Sequence, residues 1–282
     1  MRAHTEARPV FKGANAMGRG LKCTEAGVTR RDVVFLVFSV CVLAALGWRA
    51  LGGGEFQRTL ACKYKLGRLG AAFAQYADEN ARAIPPAALE TGRGYTTWDT
   101  VLGRYLANTR AGDGAATGSE LIQRTAAAFH CPSDTEPRGG EKPRSYSMPM
   151  YDVKREGWPP VVSSQGGLGL YLDAERLKLA CEAAPVGLQS SIPSIRISMV
   201  PDPAWTALLV ERVAIRNVLG THEFVVTAGP REQWAAKTIE LDKFHRGRLN
   251  YLMLDGHVER LSIRESGGHA GNGGVWTIRP WD

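Results

Sequence analysis

An uncharged run of sixteen residues, from 33 to 48, constrains this 282-residue chain more than any other feature. As a helix it reaches ~24 Å at ~1.5 Å per residue, whereas the apolar core of a bilayer is ~30 Å thick. Flanking arginines that reach toward the lipid headgroups, with the apolar Ala50 and Leu51, can close that gap. We therefore predict a transmembrane helix over residues 32–51. A buried soluble helix and the apolar part of an export signal are the alternatives.

Most of the net charge of +7 lies before this run. Residues 1–31 carry seven Lys or Arg and two Glu (7 − 2 = +5), so residues 32–282 carry only +2 (7 − 5). The body of the chain therefore lacks a basic stripe, and we expect no nucleic-acid partner. A basic tail beside an apolar helix is expected to stay in the cytoplasm, which places the rest of the chain outside.

Two export signatures overlap the start of the apolar run. Residues 29–35, TRRDVVF, are loosely similar to a twin-arginine signal. Gly27 and Asp32 stand where a prepilin leader has its cleavage-site glycine and the acidic fifth residue that follows. No small-residue cleavage motif is evident, so we expect an uncleaved anchor, with residues 1–31 as its basic tail or leader.

The sequence after the glycines at 52–54 predicts an amphipathic helix from Glu55 to about Asn80. Its apolar residues are spaced four, three, four and three apart, which is typical of one helix face: Cys62, Leu66, Leu69, Phe73 and Tyr76. The proline pair after Ile84 ends the pattern. We expect a stalk over residues 52–86 and a head over residues 87–282.

The C-terminal third predicts an antiparallel sheet. Strands are expected within residues 205–215, 222–228 and 274–280, and a hairpin over residues 248–263. Asp255-Gly256 favours a two-residue type I′ turn, which pairs Leu254 with His257. Helices followed by an antiparallel sheet indicate the α+β class.

Three polar residues of this hairpin region could suggest a metal or catalytic site: His245, Asp255 and His257. On a straight strand, His245 lies ~33 Å from Asp255 at ~3.3 Å per residue. Ligands of one ion lie ~2 Å from it, so these two residues are not expected to share a site. We predict that Asp255 and Gly256 form the turn with positive φ, and that His245 hydrogen-bonds where the chain enters the strand.

Other candidate sites are incomplete in the sequence. His130 beside Cys131 lacks a second ligand pair, and Glu211 is interpreted as a solvated or hydrogen-bonded strand end. Motifs of serine hydrolases, zinc proteases, phosphate loops and dinucleotide-binding folds are absent from the sequence,. We therefore expect no enzyme activity, no cofactor and no metal.

Several segments together resemble a known family. His245, nine further residues and then Asp255-Gly256 are similar to the signature of the prepilin-type "H-X9-DG" proteins, which are pseudopilin-like. Six further segments match the family in order: ACKYKLGRLGAAFAQYADENARAIPP, TWDTVLGRYL, FHCPSD, RSYSM, PAWTALLVE and GGVWTIRPWD. The matches run from Cys62 to Asp282.

The resemblance implies a pilin-like fold, with a long N-terminal helix packed on a C-terminal antiparallel sheet. It implies a place in a type II secretion or type IV pilus-like assembly of the inner membrane, with other pseudopilin-like subunits or the secretion machinery as partners. Because Arg30 and Arg31 stand where a prepilin is apolar, we expect a retained, single-pass relative. The resemblance also places Cys131 beside the head core, where it could bridge Cys62; pairing with Cys181 and free thiols stay open.

Two other functions are compatible with the sequence. Residues 135–204, which are rich in Gly, Pro and Ser, could bind a polysaccharide or protein through Trp158, Tyr146 and Tyr151. A metal-dependent hydrolase would use His245, Asp255 or His257.

Overall fold

The computed structural model describes residues 29–48, 54–107, 118–158, 166–184, 192–233, 244–267 and 274–278. The chain divides into two compact units, Met1–Arg49 and Ala50–Asp282. The helix α1, Arg30–Trp48, belongs to the first unit. The expected leader glycine, Gly27, lies outside the described residues.

A capping box begins α1. The backbone N–H and hydroxyl of Thr29 donate to the carboxylate of Asp32 at 2.9 and 2.8 Å, and the Asp32 N–H donates back to the Thr29 hydroxyl at 3.4 Å. These bonds satisfy backbone donors that the first turn leaves unpaired. Ten large apolar side chains of α1 are exposed by between 40% and 69%. Within the described ranges, no helix combines the length and hydrophobicity that a bilayer crossing requires.

The second unit contains six helices and eight strands in its described residues. The helices are α2 Gly54–Glu79, α3 Trp98–Leu106, α4 Gly118–Phe129, α5 Val153–Glu156, α6 Ala174–Ala183 and α7 Ile263–Ser266. The strands are β1 Ala88–Thr91, β2 Gly94–Thr97, β3 Tyr146–Tyr151, β4 Gly169–Leu172, β5 Ala207–Glu211, β6 Val226–Thr227, β7 Leu249–Met253 and β8 Val258–Leu261. Short 3-10 turns precede β7, at Phe244–Arg246, and follow α7, at Gly274–Trp276.

The strands form one mixed sheet in the order β2-β1-β4-β3-β5-β7-β8, with β6 paired to β3. β4 runs parallel to both of its neighbours, and β6 runs parallel to β3. The α+β class is therefore confirmed, but the predicted antiparallel sheet is only partly right. Parallel neighbours require a crossover connection, and the segment between β1 and β4, which contains α3 and α4, supplies one.

The stripe predicted for α2 is confirmed. Cys62, Leu66, Leu69 and Phe73 are buried, and Tyr76 is half-buried. The helix packs on β7 and α3. A side chain at Gly70 would place its Cβ 3.0 Å from Leu252 Cδ1, so this glycine lets α2 approach the hairpin closely.

The hairpin forms, but with a three-residue connection. Leu249 pairs with Leu261 and Leu252 with Val258, one residue away from the predicted register. The Gly256 N–H donates to the Met253 carbonyl at 3.0 Å, and Gly256 has φ +94°. This is a type I turn followed by a glycine bulge, in which only the glycine needs positive φ.

The predicted strand at residues 274–280 is wrong where the chain is described. Gly274–Trp276 is a 3-10 turn, and Trp276 contacts the Tyr251 ring edge-on at 6.1 Å between centroids. Val275 and Ile278 are buried. The apolar residues here fill the core without pairing as a strand.

Candidate functional site

The structure separates the histidines and the aspartate of the hairpin region. His245 precedes β7, whereas Asp255 and His257 lie at its other end. Asp255 Oδ1 lies 2.6 Å from His257 Nδ1, and both side chains are exposed. His245 makes its contacts with α2, with the turn after α4 and with the end of β5. The prediction that His245 and Asp255 do not share a site agrees with this arrangement.

A left-handed turn directs His245 into the head. His245, Arg246 and Gly247 have φ of +46°, +58° and +74°. Positive φ is unfavourable for the first two residues, so the surrounding contacts must hold this conformation. The His245 side chain is fully buried, and its backbone N–H donates to Glu55 Oε1 at 3.1 Å.

One ring nitrogen of His245 faces the first turns of α2. Nδ1 lies 2.9 Å from Glu55 Oε1 and 2.9 Å from the Thr59 hydroxyl. The Ser133 hydroxyl, from the turn after α4, donates to the same Glu55 oxygen at 2.7 Å. Glu55 therefore joins three segments that are far apart in the sequence.

The other ring nitrogen faces the end of β5. Nε2 lies 3.1 Å from Glu211 Oε1 and 3.2 Å from Cys131 Sγ. Glu211 is buried, and its carboxylate accepts the Asn250 N–H at 2.7 Å and the Asn250 side-chain amide at 3.1 Å. The expectation of a hydrogen-bonded strand end at Glu211 agrees with this, although its principal partner is the histidine.

The two carboxylates determine the charge of His245. Burial lowers the pKa of its imidazole, but Glu211 and then Glu55 outweigh burial, and the pKa is raised above its ordinary value. A protonated ring can donate from Nδ1 to Glu55 and from Nε2 to Glu211 at once. The ring thus neutralises one of the two negative charges that surround it.

A disulfide completes the arrangement. Cys62 of α2 and Cys131 are bonded, with 68 residues between them in sequence, and both are fully buried. This is the pairing that the family resemblance favours over Cys181, which is free and half-buried. We refer to His245, Glu55, Glu211, Cys62 and Cys131 as the His245 cluster.

The sequence did not indicate that Glu55 and Glu211 meet at one histidine. They lie 190 and 34 residues before His245. The available signals are weak: Glu55 is an acid in the first turn of a helix, and Glu211 ends a strand in which every residue is buried. Neither position is unusual for an acid, so only the fold reveals the site.

The other candidate residues have structural positions. Tyr146 and Tyr151 are fully buried because β3 lies inside the sheet, so they are core residues, which is the alternative to ligand stacking that such aromatics more often represent. Trp158 is half-buried and contacts Tyr151 edge-on. His130 Nε2 lies 2.8 Å from the Asp134 carbonyl oxygen, and the sulfur of Cys131 is in the disulfide.

No protein-family profile, curated protein or solved structure matches this chain.

Proposed function

We propose that the chain is a membrane-anchored, pseudopilin-like protein of a type II secretion or type IV pilus-like assembly, which acts by protein–protein contact. In this proposal α1 lies in the inner membrane, the N-terminus is cytoplasmic and the head is periplasmic. The observation that carries the proposal is the surface of α1. Its residues 33–38 are six consecutive exposed apolar side chains, and they cover every face of the helix.

A helix that is apolar on all sides requires an apolar environment. The basic tail before it favours a membrane, with that tail on the cytoplasmic side. The uncharged part alone is ~24 Å long, so the proposal includes Arg30, Arg31 and Arg49 reaching toward the headgroups on the two sides. The disulfide of the head supports a compartment in which thiols are oxidised,.

The His245 cluster supports a contact function for the head. All of its residues except the partly exposed Glu55 are buried. It joins the first turns of α2 to β5 and to the turn after α4, so it fixes the helix on the head. The opposite face of α2 carries an exposed apolar stripe at i, i+4 and i+8: Phe56, Leu60 and Tyr64. We propose this stripe as the surface that meets another pseudopilin-like subunit.

The anchor is tested by the double substitution Val40→Lys and Leu43→Lys in the full chain. Two charges in the apolar helix are expected to move the protein from the alkali-resistant membrane pellet to the soluble fraction, since each Lys at a helix centre is unfavourable by roughly 2.5–3.5 kcal/mol. The matched control is Val40→Ile with Leu43→Met. An unchanged membrane partition of the lysine variant would contradict the anchor.

The assembly is tested separately. A photoreactive residue at Tyr64 is expected to crosslink to a second copy or to another pseudopilin-like subunit in cells, and Leu60→Glu is expected to abolish that product without changing membrane partition. Lys63→Glu, on a neighbouring face, is the control. N-terminal sequencing of the membrane form adds a second readout, because a start at Val28 indicates prepilin processing and an intact start indicates a plain anchor.

A further inference from the structure

We infer that the reduced form of this chain binds one zinc ion through Cys62, Cys131, His245 and Glu211. The same four residues then have two states, a disulfide-closed cluster and a metal centre. The structure shows the disulfide state. The inference does not depend on the proposed function.

The positions of the four ligand atoms carry this inference. The two sulfurs, a nitrogen of His245 and an oxygen of Glu211 all lie within 4.8 Å of one another, and all four residues are buried. With bonds of ~2.0–2.3 Å, tetrahedral zinc separates its ligands by about 3.3–3.8 Å. His245 Nε2 is already 3.1 Å from Glu211 Oε1 and 3.2 Å from Cys131 Sγ. After reduction the two sulfurs must move apart, and ligand pairs separated by up to 4.8 Å must come about 1 Å closer,.

The surroundings of these atoms are those of a metal site. The second nitrogen of His245 is held by Glu55, as in the carboxylate–histidine–zinc arrangement that orients metal-bound histidines,. Asn250 donates to both oxygens of Glu211 and so fixes the carboxylate in place,.

The donor set selects the ion. Two thiolates, one imidazole and one carboxylate suit tetrahedral zinc, whereas calcium and magnesium require oxygen ligands. Four protein ligands in a site without solvent correspond to a structural zinc site, which has no open position for a substrate. The metal is therefore expected to stabilise the reduced head and to supply no catalysis.

The conversion balances with a dithiol as reductant. The dithiol gives two electrons to the Cys62–Cys131 bond, becomes a disulfide itself and releases its two protons. One further proton leaves His245 Nε2, where the zinc ion takes its place. In total, the disulfide form, one dithiol and one Zn²⁺ give the zinc form, one small disulfide and three protons. A newly synthesised chain already has both thiols and needs no reductant.

The experiment uses the detergent-solubilised full chain with Cys23, Cys41 and Cys181 replaced by Ser. The protein is reduced anaerobically with a phosphine, the reductant is removed, and Co²⁺ is titrated as a spectroscopic probe. We expect one equivalent to bind with the visible bands of tetrahedral cobalt and a thiolate charge-transfer band, and zinc to displace it. The oxidised protein is expected to bind none.

Two variants sharpen the result. Glu55→Gln retains all four ligands and an acceptor for His245 Nδ1 but removes the negative charge beside it, so it is expected to weaken zinc binding by about 10- to 100-fold,. Glu259→Gln, on the half-buried edge strand β8, is the matched control and is expected to leave the affinity unchanged. If Glu55→Gln binds zinc as tightly as this control, the assigned geometry is wrong.

Loss of the fold on reduction also gives a clear result. In that case zinc is expected to restore the native circular dichroism, because metal binding supplies folding free energy. Reduced protein that stays folded without binding one equivalent, or that unfolds and is not restored, overturns the inference. Equal binding after Cys62→Ser with Cys131→Ser overturns it as well.

Discussion

The two ends of the segment from His245 to Gly256 differ in burial, in backbone conformation and in how far along the sequence their contacts reach. At the first end, His245 is buried among two carboxylates and a disulfide, and its backbone is left-handed. At the second end, Asp255 and His257 are exposed and contact each other. The comparison teaches that one short segment of the chain combines a long-range tertiary contact with a local turn. β7 joins the two as a fully buried strand.

The largest expected effect tests the buried end. Cys62→Ser with Cys131→Ser removes a cross-link over 69 residues, and the free energy of unfolding is expected to fall by about 4 kcal/mol,. Urea denaturation of the full chain, monitored by circular dichroism, measures the change. Cys181→Ser is the control and is expected to change stability by less than about 0.5 kcal/mol. Equal losses of stability from the double substitution and from Cys181→Ser would contradict the special role of the buried end.

Substitution of His245 has an effect of similar size. His245→Gln leaves Glu211 buried without its cationic partner, which is expected to destabilise the head by about 3–5 kcal/mol. Because His245 contacts Cys131, this loss and the loss caused by removing the disulfide are not expected to add,. The matched variant at the other end, His257→Gln, is expected to change stability by less than about 0.5 kcal/mol, since exposed pairs contribute little,. Similar losses for the two histidines would refute the comparison.

The pH dependence of stability sharpens the same contrast in the disulfide form. Because the folded-state pKa of His245 is raised above its ordinary value of about 6.5, its stabilisation is complete below that ordinary value and is lost as the pH rises through the folded-state pKa,. The melting temperature of the wild type is therefore expected to fall on the alkaline side of that range. His245→Gln should lack this dependence and His257→Gln should retain it; a wild-type profile that rises with pH would contradict the assignment.

The smallest effect belongs to the turn. Gly256 has φ +94°, so Gly256→Ala is expected to destabilise the head by about 1–2 kcal/mol through backbone strain,. Gly67 offers a matched position in α2, where a Cβ meets open space. Gly67→Ala is expected to stabilise by about 0.5–1 kcal/mol, and thermal melts measure both variants. The same sign for the two would show that the turn does not need its glycine.

The parts of the fold that could be predicted from the sequence are those that depend on neighbouring residues along the chain. The face of α2 followed from helical periodicity, and the hairpin followed from Asp255-Gly256 between β-rich runs. The register was missed because a bulge adds one residue to the connection, which is decided by the turn geometry. β3 was missed because it contains Pro149 and is buried on both faces, so it shows neither alternation nor ordinary strand composition.

The site could be predicted only in part. The structural role of His245 was predicted from its distance to Asp255 along an extended chain, and the Cys62–Cys131 pairing was one of three arrangements that the sequence and the resemblance left open. The contacts of Glu55 and Glu211 with His245 could not be predicted, because they depend on how α2 packs on the sheet that contains β5. An acid at a helix start or a strand end is favourable without any distant partner.

The position of the disulfide has a mechanical consequence. A force applied to the chain before Gly54 acts first on Glu55, which is hydrogen-bonded to His245. It then acts on the disulfide at Cys62, eight residues after the start of α2. The disulfide transmits the force from Cys62 directly to Cys131. The 68 intervening residues, which include β1, β2, α3 and α4, therefore bear no force. Stretched from its two termini, the oxidised head should unravel with a contour length shorter by that loop, and reduction should release it.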